Sequence, residues 1–276
     1  MGLFDLFSDT KNSIDKNRQA KEYIRRAKEL ISEGNSIYEK AYNKVTSYAS
    51  ETEYRLRQHT DYKKQLVKEL GGTIGTTLKD FEHFNIDIKT ISTPSIQESN
   101  TGLYSFGSAI SSCMPHLDVL SILDMFISDD DYYEAKRQRD EAKLYKERMK
   151  MERDKLNNYK EKMSEIRTFI SSEKSELDSL MEKLKKMTNE LKGSMQKSSF
   201  SIEEAEYLKG THKIAEYIVA LLSTEFLSDT FSINQKYQKV FSDIKNINQN
   251  LPCAPSITDS DTITAIKHIL SGPIVY

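Results

Sequence analysis

The stretch YYEAKRQRDEAKLYKERMKMERDKLNNYKEKMSEIRTFISSEKSELDSLMEKLKKMTNEL, residues 132–191, decides the fold. Counted from Ala135 in alternating steps of three and four, it gives Ala135, Gln138, Ala142, Tyr145, Met149, Glu152, Leu156, Tyr159, Met163, Ile166, Ile170, Glu173, Leu177, Leu180, Leu184, Met187 and Leu191. Fourteen of these seventeen positions are apolar. One of the two interleaved series, Ala135, Ala142, Met149, Leu156, Met163, Ile170, Leu177, Leu184 and Leu191, is apolar throughout. This is the repeat of a left-handed coiled coil. The other series is interrupted by Gln138, Glu152 and Glu173. Polar groups in a seam cost stability and fix register or partner choice. At about 1.5 Å per residue, sixty residues make a helix of roughly 90 Å.

Towards the N-terminus the same steps return. Ala20, Ile24, Ala27, Ile31, Tyr38, Ala41, Val45 and Tyr48 keep them, with Gly34 in one seam position. Beyond Tyr48 the phase drifts, and Leu56, Tyr62, Leu66 and Leu70 fit less well. Gly71 and Gly72 are expected to end this helix, as glycines do just past a C-terminus. The chain therefore divides into an apolar N-terminal segment (1–9), a long coiled-coil helix (10–70), an apolar, Ser/Thr-rich head (71–129), a second long coiled-coil helix (130–192) and a C-terminal helical base (200–276). In the base, Ser201 and Glu204 form a capping box. Helices are expected from there to about 228, over about 231–250 and over about 260–270. The fold class is all-α. Two long helices of similar length predict an elongated antiparallel coiled-coil hairpin, with the head at its tip and the base at its open end.

Composition agrees with long exposed helices: 30% of the residues are charged, and 5 Pro and 10 Gly leave few interruptions. The balance of 40 basic and 42 acidic residues argues against direct nucleic-acid binding, which goes with a basic excess. Cys113 and Cys253 stand apart, with neither a disulfide framework nor metal spacing, and fit a reducing compartment. The N-terminus lacks the basic, long apolar and small-residue regions of a secretory signal. A cytoplasmic protein, associated with a membrane or not, is the expectation.

Two apolar stretches stand out from the charged background. The run LYSFGSAISSCMPHLDVLSILDMFI (103–127) is long enough to cross a bilayer. It also holds Asp118 and Asp124, and a central Asp costs about 2.5–3.5 kcal/mol against about 0.3–0.6 returned by each Leu, Ile, Phe or Val. That balance argues against constitutive spanning. What remains is the core of a helical head, a conditionally inserting tip, or a partner-binding knob. The contact candidates are Leu103, Tyr104, Phe106, Ile110, Leu117, Leu120, Ile122, Leu123 and Phe126. The opening MGLFDLF contributes Leu3, Phe4, Leu6 and Phe7, either a plug against the base or a weak membrane or partner foot that gains from avidity. These seven residues resemble the openings of phage-shock-protein-A and related ESCRT-III-like membrane-remodelling proteins, in which a short amphipathic segment precedes a long helical hairpin. The chain departs from that pattern where the family turns tightly, because some sixty residues of different composition intervene here.

Catalytic, cofactor and metal signatures are lacking. The acidic run DDDYYE (129–134) reads as a helix start, where negative charge complements the dipole, rather than as a cation site. Asp130, Glu134 and Lys136 faintly echo a nuclease pattern, but that chemistry needs a strand framework. His59, His83, His116, His212 and His268 are scattered, and Gly71–Gly75 lacks the Lys-Ser/Thr of a phosphate loop. The expectation is a non-enzymatic coiled-coil structural or interaction protein without cofactor. It self-associates or docks on a protein partner, with a homo-oligomer as the first candidate and a membrane surface as a further one. The alternatives are a helical pore-forming protein inserting 103–127, and a rod-like accessory subunit of a nucleic-acid machine.

Overall fold

The computed structural model describes residues 14–81, 110, 132–194, 200–228 and 230–272, together with the backbone of residues 3–13. The described residues form helices α1 (Leu3–Glu69), α2 (Gly75–Lys79), α3 (Tyr132–Ser194), α4 (Ile202–Ser223), α5 (Gln235–Asn250) and α6 (Ser260–Ser271), with a π-turn, Leu70–Ile74, between α1 and α2. Their only β element is an isolated bridge, Leu227 to Ile233. The fold is all-α, with two long helices packed against each other. No proline interrupts either long helix. The outward faces carry i,i+3 and i,i+4 ion pairs such as Arg25 with Glu22 and Glu29, and Arg137 with Glu134 and Glu141.

The chain forms two compact units. One holds α1 up to Glu51 and α3 up to Met163; the other holds α1 from Thr52, α3 from Ser164, and α4, α5 and α6. In the first unit, Ala20 and Ile24 pack with Ala135. One step further along both helices, Ala27 and Ile31 pack with Ala142, Tyr145 and Met149. The seam residues are small here, so the helices approach closely. A Cβ on Gly34 would lie 3.2 Å from the Tyr145 ring.

In the second unit, His59 meets Glu173, Tyr62 meets Asp178, and Glu69 meets Lys185. In both units, rising numbers on α1 meet rising numbers on α3. The two helices run parallel, which corrects the antiparallel direction expected from their lengths. A heptad stripe carries no direction, so the same residues serve either pairing. The roughly fifty residues between Phe81 and Tyr132 can, when extended, reach further than a helix of sixty residues is long. Length alone therefore imposes no turn-back.

The seam of α3 follows the heptad closely. Fourteen of its seventeen counted positions are buried, Glu152, Tyr159 and Ile170 being partly so. On α1 the series Ile24, Ile31, Tyr38, Val45, Thr52, His59 and Leu66 keeps strict sevens and is buried throughout except at Tyr38, which is partly so. The companion series moves by one residue between Ala41 and Ala49, continuing as Ala49, Leu56, Lys63 and Leu70. The drift read beyond Tyr48 is this one-residue step, masked in sequence because Thr, His and Lys fill seam positions.

Helix α1 ends at Glu69, beside Gly71 and Gly72 as expected, but the chain turns on into another short helix. Gly72 has ψ −109°, which kinks the chain, and a further turn follows through Lys79. Leu70, Ile74, Leu78 and Phe81 are all buried, so apolar spacing carries the chain past the glycines.

Each helix of the base starts on a side-chain cap, the first of them the box expected at Ser201 and Glu204. Ser201 and Glu204 form the capping box of α4, Asn234 caps α5 and Asp259 caps α6. Two lysines close helix C-termini: Lys183 Nζ donates to Asn248 O at 2.6 Å and Leu251 O at 2.7 Å, and Lys213 Nζ donates to Leu270 O at 3.1 Å and Gly272 O at 2.8 Å. Helix α6 lies directly on α4 at Gly210.

Two outcomes test this architecture. Spin labels at Lys21→Cys and Lys136→Cys, with Cys113 and Cys253 changed to Ser, should give a pulsed-EPR distance below about 25 Å, two helix diameters. An antiparallel pair would separate these sites by most of a unit. A Cβ on Gly210 would lie 2.6 Å from Ile266 Cγ2. Gly210→Ala should therefore cost about 1–3 kcal/mol in urea unfolding. Gly210→Ala combined with Ile266→Ala should lose less than the two single losses together.

Candidate functional site

Most of the residues singled out for contact lie outside the described residues. These are Leu103, Tyr104, Phe106, Leu117, Leu120, Ile122, Leu123 and Phe126, with the Asp129–Asp131 run. For Leu3, Phe4, Leu6 and Phe7 only the helical backbone is described. Ile110, the one described residue of the apolar run, is helical and 1% exposed, so it is core rather than a presented contact. The seam candidates Ala142, Met149, Leu156, Met163, Leu177, Leu184 and Leu191 are all buried, and Ile170 is half-buried.

The densest chemistry among the described residues lies in the second unit, around seam residue Glu173. This carboxylate is wholly buried. Its Oε2 stands 2.9 Å from His59 Nε2 on α1. Its Oε1 accepts a short hydrogen bond from the Tyr237 hydroxyl on α5. Lys63, one turn beyond His59, places Nζ 4.3 Å from the centre of the Tyr237 ring and 5.5 Å from that of Phe226. His59, Lys63 and Tyr237 are themselves 4%, 6% and 0% exposed.

A tight loop delivers Phe226 to this cluster. The Leu227–Ile233 bridge and the Ser228 N to Ser232 O bond (2.8 Å) close the loop, and Phe231 turns it at φ 54°. The Phe226 ring then lies 4.7 Å from His59 and 5.1 Å from Tyr237, with Phe169 and Phe241 completing an aromatic wall.

The electrostatics follow from this packing. Burial pushes the Glu173 carboxyl up, but His59, Lys63 and Tyr237 together outweigh burial and hold it below the ordinary glutamate range. As an ionised carboxylate can only accept, His59 carries its ring proton on Nε2 in the bond to Glu173. Burial draws the Lys63 ammonium down to about 8, against the opposing charge of Glu173. Burial, then the Glu173 charge and hydrogen bond, push the Tyr237 phenol well up. Beside the cluster, Tyr62 donates to Asp178 Oδ1 at 2.8 Å. The arrangement can hold and exchange protons and fix packing; with every member at most 6% exposed, a substrate does not reach it in this conformation.

A second polar knot ties the base to α3. Glu190 accepts from Tyr207 Oη at 2.9 Å, Ser256 Oγ at 2.7 Å and Ile257 N at 3.2 Å. Among the described residues, no group of three His, Cys, Asp or Glu could hold a metal ion. Nor is any described helix long and apolar enough to cross a membrane.

Sequence reading registered Glu173 only as an interruption and His59 as one of five scattered histidines. The signal was present: carrying the α1 series by two further sevens from Val45 lands on His59. Tyr237 gave no such signal, because its place depends on the loop that swings α5 back. Comparison with protein-family models, curated proteins and solved structures finds no match to this chain.

Lys63 supplies a pH test. Between pH 8 and 10.5 the unfolded chain holds its lysine proton more firmly than the folded one does, so stability rises with pH. Above about pH 10 Tyr237 works in the opposite sense, which leaves a clean window below it. Unfolding free energy should gain on the order of 2 kcal/mol from this group between pH 8 and 9.5. Chemical denaturation of Lys63→Met should show that gain abolished.

Proposed function

We propose that the chain is a non-enzymatic coiled-coil interaction protein whose outward helix face docks on a second copy of itself or on another protein. The observation that carries this reading is on α3. Tyr133, Leu144 and Met151 are 72%, 64% and 63% exposed, although Ala142, Tyr145 and Met149 beside them are buried in the seam. Leu144 and Met151 are one heptad apart, and Tyr133 precedes Leu144 by three helical turns. All three fall on one face of α3, turned away from the buried seam. Large apolar side chains repeating on an otherwise charged face are what helix-in-groove and coiled-coil docking employ. The polar clusters, by contrast, are closed inside the fold. The cytoplasm fits the isolated cysteines, and a membrane surface is a further docking place in this proposal.

Sedimentation velocity across a hundredfold concentration range tests it. The full chain should show concentration-dependent mass, and Leu144→Lys with Met151→Lys should weaken self-association at least about tenfold, the loss of one or two apolar anchors. The same chain should also be spun with liposomes at neutral and acidic pH, beside a variant lacking residues 1–8 and the variant Leu103→Asp/Phe106→Asp. Pelleting of the full chain that those variants lose would move the docking surface to the membrane. If the full chain stays monomeric, ignores vesicles and retains no protein in pull-down more than the double-lysine variant does, the reading fails.

A further inference from the structure

The cluster around Glu173 has a charge count that bears on more than packing. One carboxylate serves two bases: His59 by a direct 2.9 Å contact, and Lys63 through the charge it exerts across the aromatic wall. The groups that face this carboxylate are His59 and Lys63 from α1 and Tyr237 from α5, with the Phe226 ring of the 224–234 loop packed on His59 and Tyr237. On α3 itself Asp178 is exposed and engaged by Tyr62, whose ring Lys174 covers. Glu173 therefore supplies the negative charge within the wall.

We propose that the cluster is an acid-released latch: protonating Glu173 leaves two buried bases without their counter-charge, and the segment 224–241 parts from α1 and α3. The step is a single proton transfer from solvent to a carboxylate oxygen, and it breaks the bonds from His59 and Tyr237 in their present form. A protonated Glu173 accepts less well and adds a donor that must itself be satisfied. Lys63, drawn down to about 8, is already cationic at pH 7, so losing the Glu173 charge leaves a buried ammonium without its anion. A buried charge without a counter-ion is strongly unfavourable, whereas the open conformation gives both bases to water. The segment that yields is the one that closes the wall. It carries Tyr237, Phe226 and Phe241, and its loop turns through a residue at positive φ. The far end of α5 is held separately by Lys183 on its terminal carbonyls.

Hydrogen exchange read by mass spectrometry from pH 7 to pH 3, corrected for intrinsic rates, tests the latch on the full chain. Segment 224–241 should lose protection at a higher pH than residues 135–163, which lie outside the cluster. Glu173→Gln, which fixes the uncharged shape, should show at pH 7 at least a tenfold loss of protection confined to that segment. Replacing the whole set (His59→Leu, Lys63→Met, Glu173→Leu and Tyr237→Phe) removes the titration, so its 224–241 segment should hold to about one pH unit lower than wild type. The proposal is overturned if 224–241 and 135–163 open together in the wild type. It is equally overturned if the fully replaced variant opens at the wild-type pH.

Discussion

A carboxylate removed from water must be met by donors or cations, and the second unit is organised by how it meets Glu173. The seam of α3 offers this side chain no exit to solvent. His59 comes from α1 and Tyr237 from α5, so one acceptor holds two separate stretches of chain against α3, and the ring of Phe226 from the loop before α5 packs on both donors. An apolar residue at position 173 would pack against the same helices with fewer conditions attached. The polar choice costs desolvation and repays it only if all donors are in place. That all-or-none property makes the junction specific: a register slip of one residue on α1 removes His59 and Lys63 together.

The parallel direction of α1 and α3 depends on such specific contacts more than on the apolar stripe. Ala20, Ala27, Ala135 and Ala142 are small and interchangeable, and would pack acceptably in several registers. What distinguishes one register in the first unit is the polar edge of the seam. Tyr145 donates to Asn35 and Lys146 pairs with Glu33, at the level where Gly34 lets the Tyr145 ring lie close. In the second unit the same task falls to His59–Glu173 and Tyr62–Asp178.

These particulars explain what could be read from sequence and what could not. The position of α3 and its seam were legible because Leu156 to Leu191 recur in strict sevens, and burial follows that count. The cap of α4 was legible because Ser201 and Glu204 act on backbone within three residues; Asn234 and Asp259 cap α5 and α6 in the same local way but were not singled out in the sequence. Direction was not legible, because an apolar stripe is blind to it. The seam of α1 beyond Val45 was hidden by Thr52, His59 and Lys63, which read as surface until the acidic partner across the seam is known. The break at Gly71–Gly72 was legible, but the short helix beyond it was not, because it depends on the burial of Leu70, Ile74 and Leu78 rather than on a local signal. Tyr237 and Phe226 depended on tertiary return of the chain, which no local pattern encodes.

The abundant surface charge contributes little to holding this structure together. Pairs such as Arg25 with Glu22 and Glu29, or Lys150 with Glu147, are solvent-exposed and within a turn or so of each other, and water and salt screen such pairs until they contribute little. They support helicity locally without selecting a partner. Selection inside the chain is done by the seam and by buried polar junctions. On the outside, a face covered in self-neutralised pairs offers a partner no net field to recognise. Leu144 and Met151 break that pattern in the middle of Asp140–Lys143 and Glu147–Lys150. A solvated helix face has no physical need for two large apolar side chains one heptad apart. Their exposure carries a cost that the fold itself does not recover, and burial against a complementary helix would recover it.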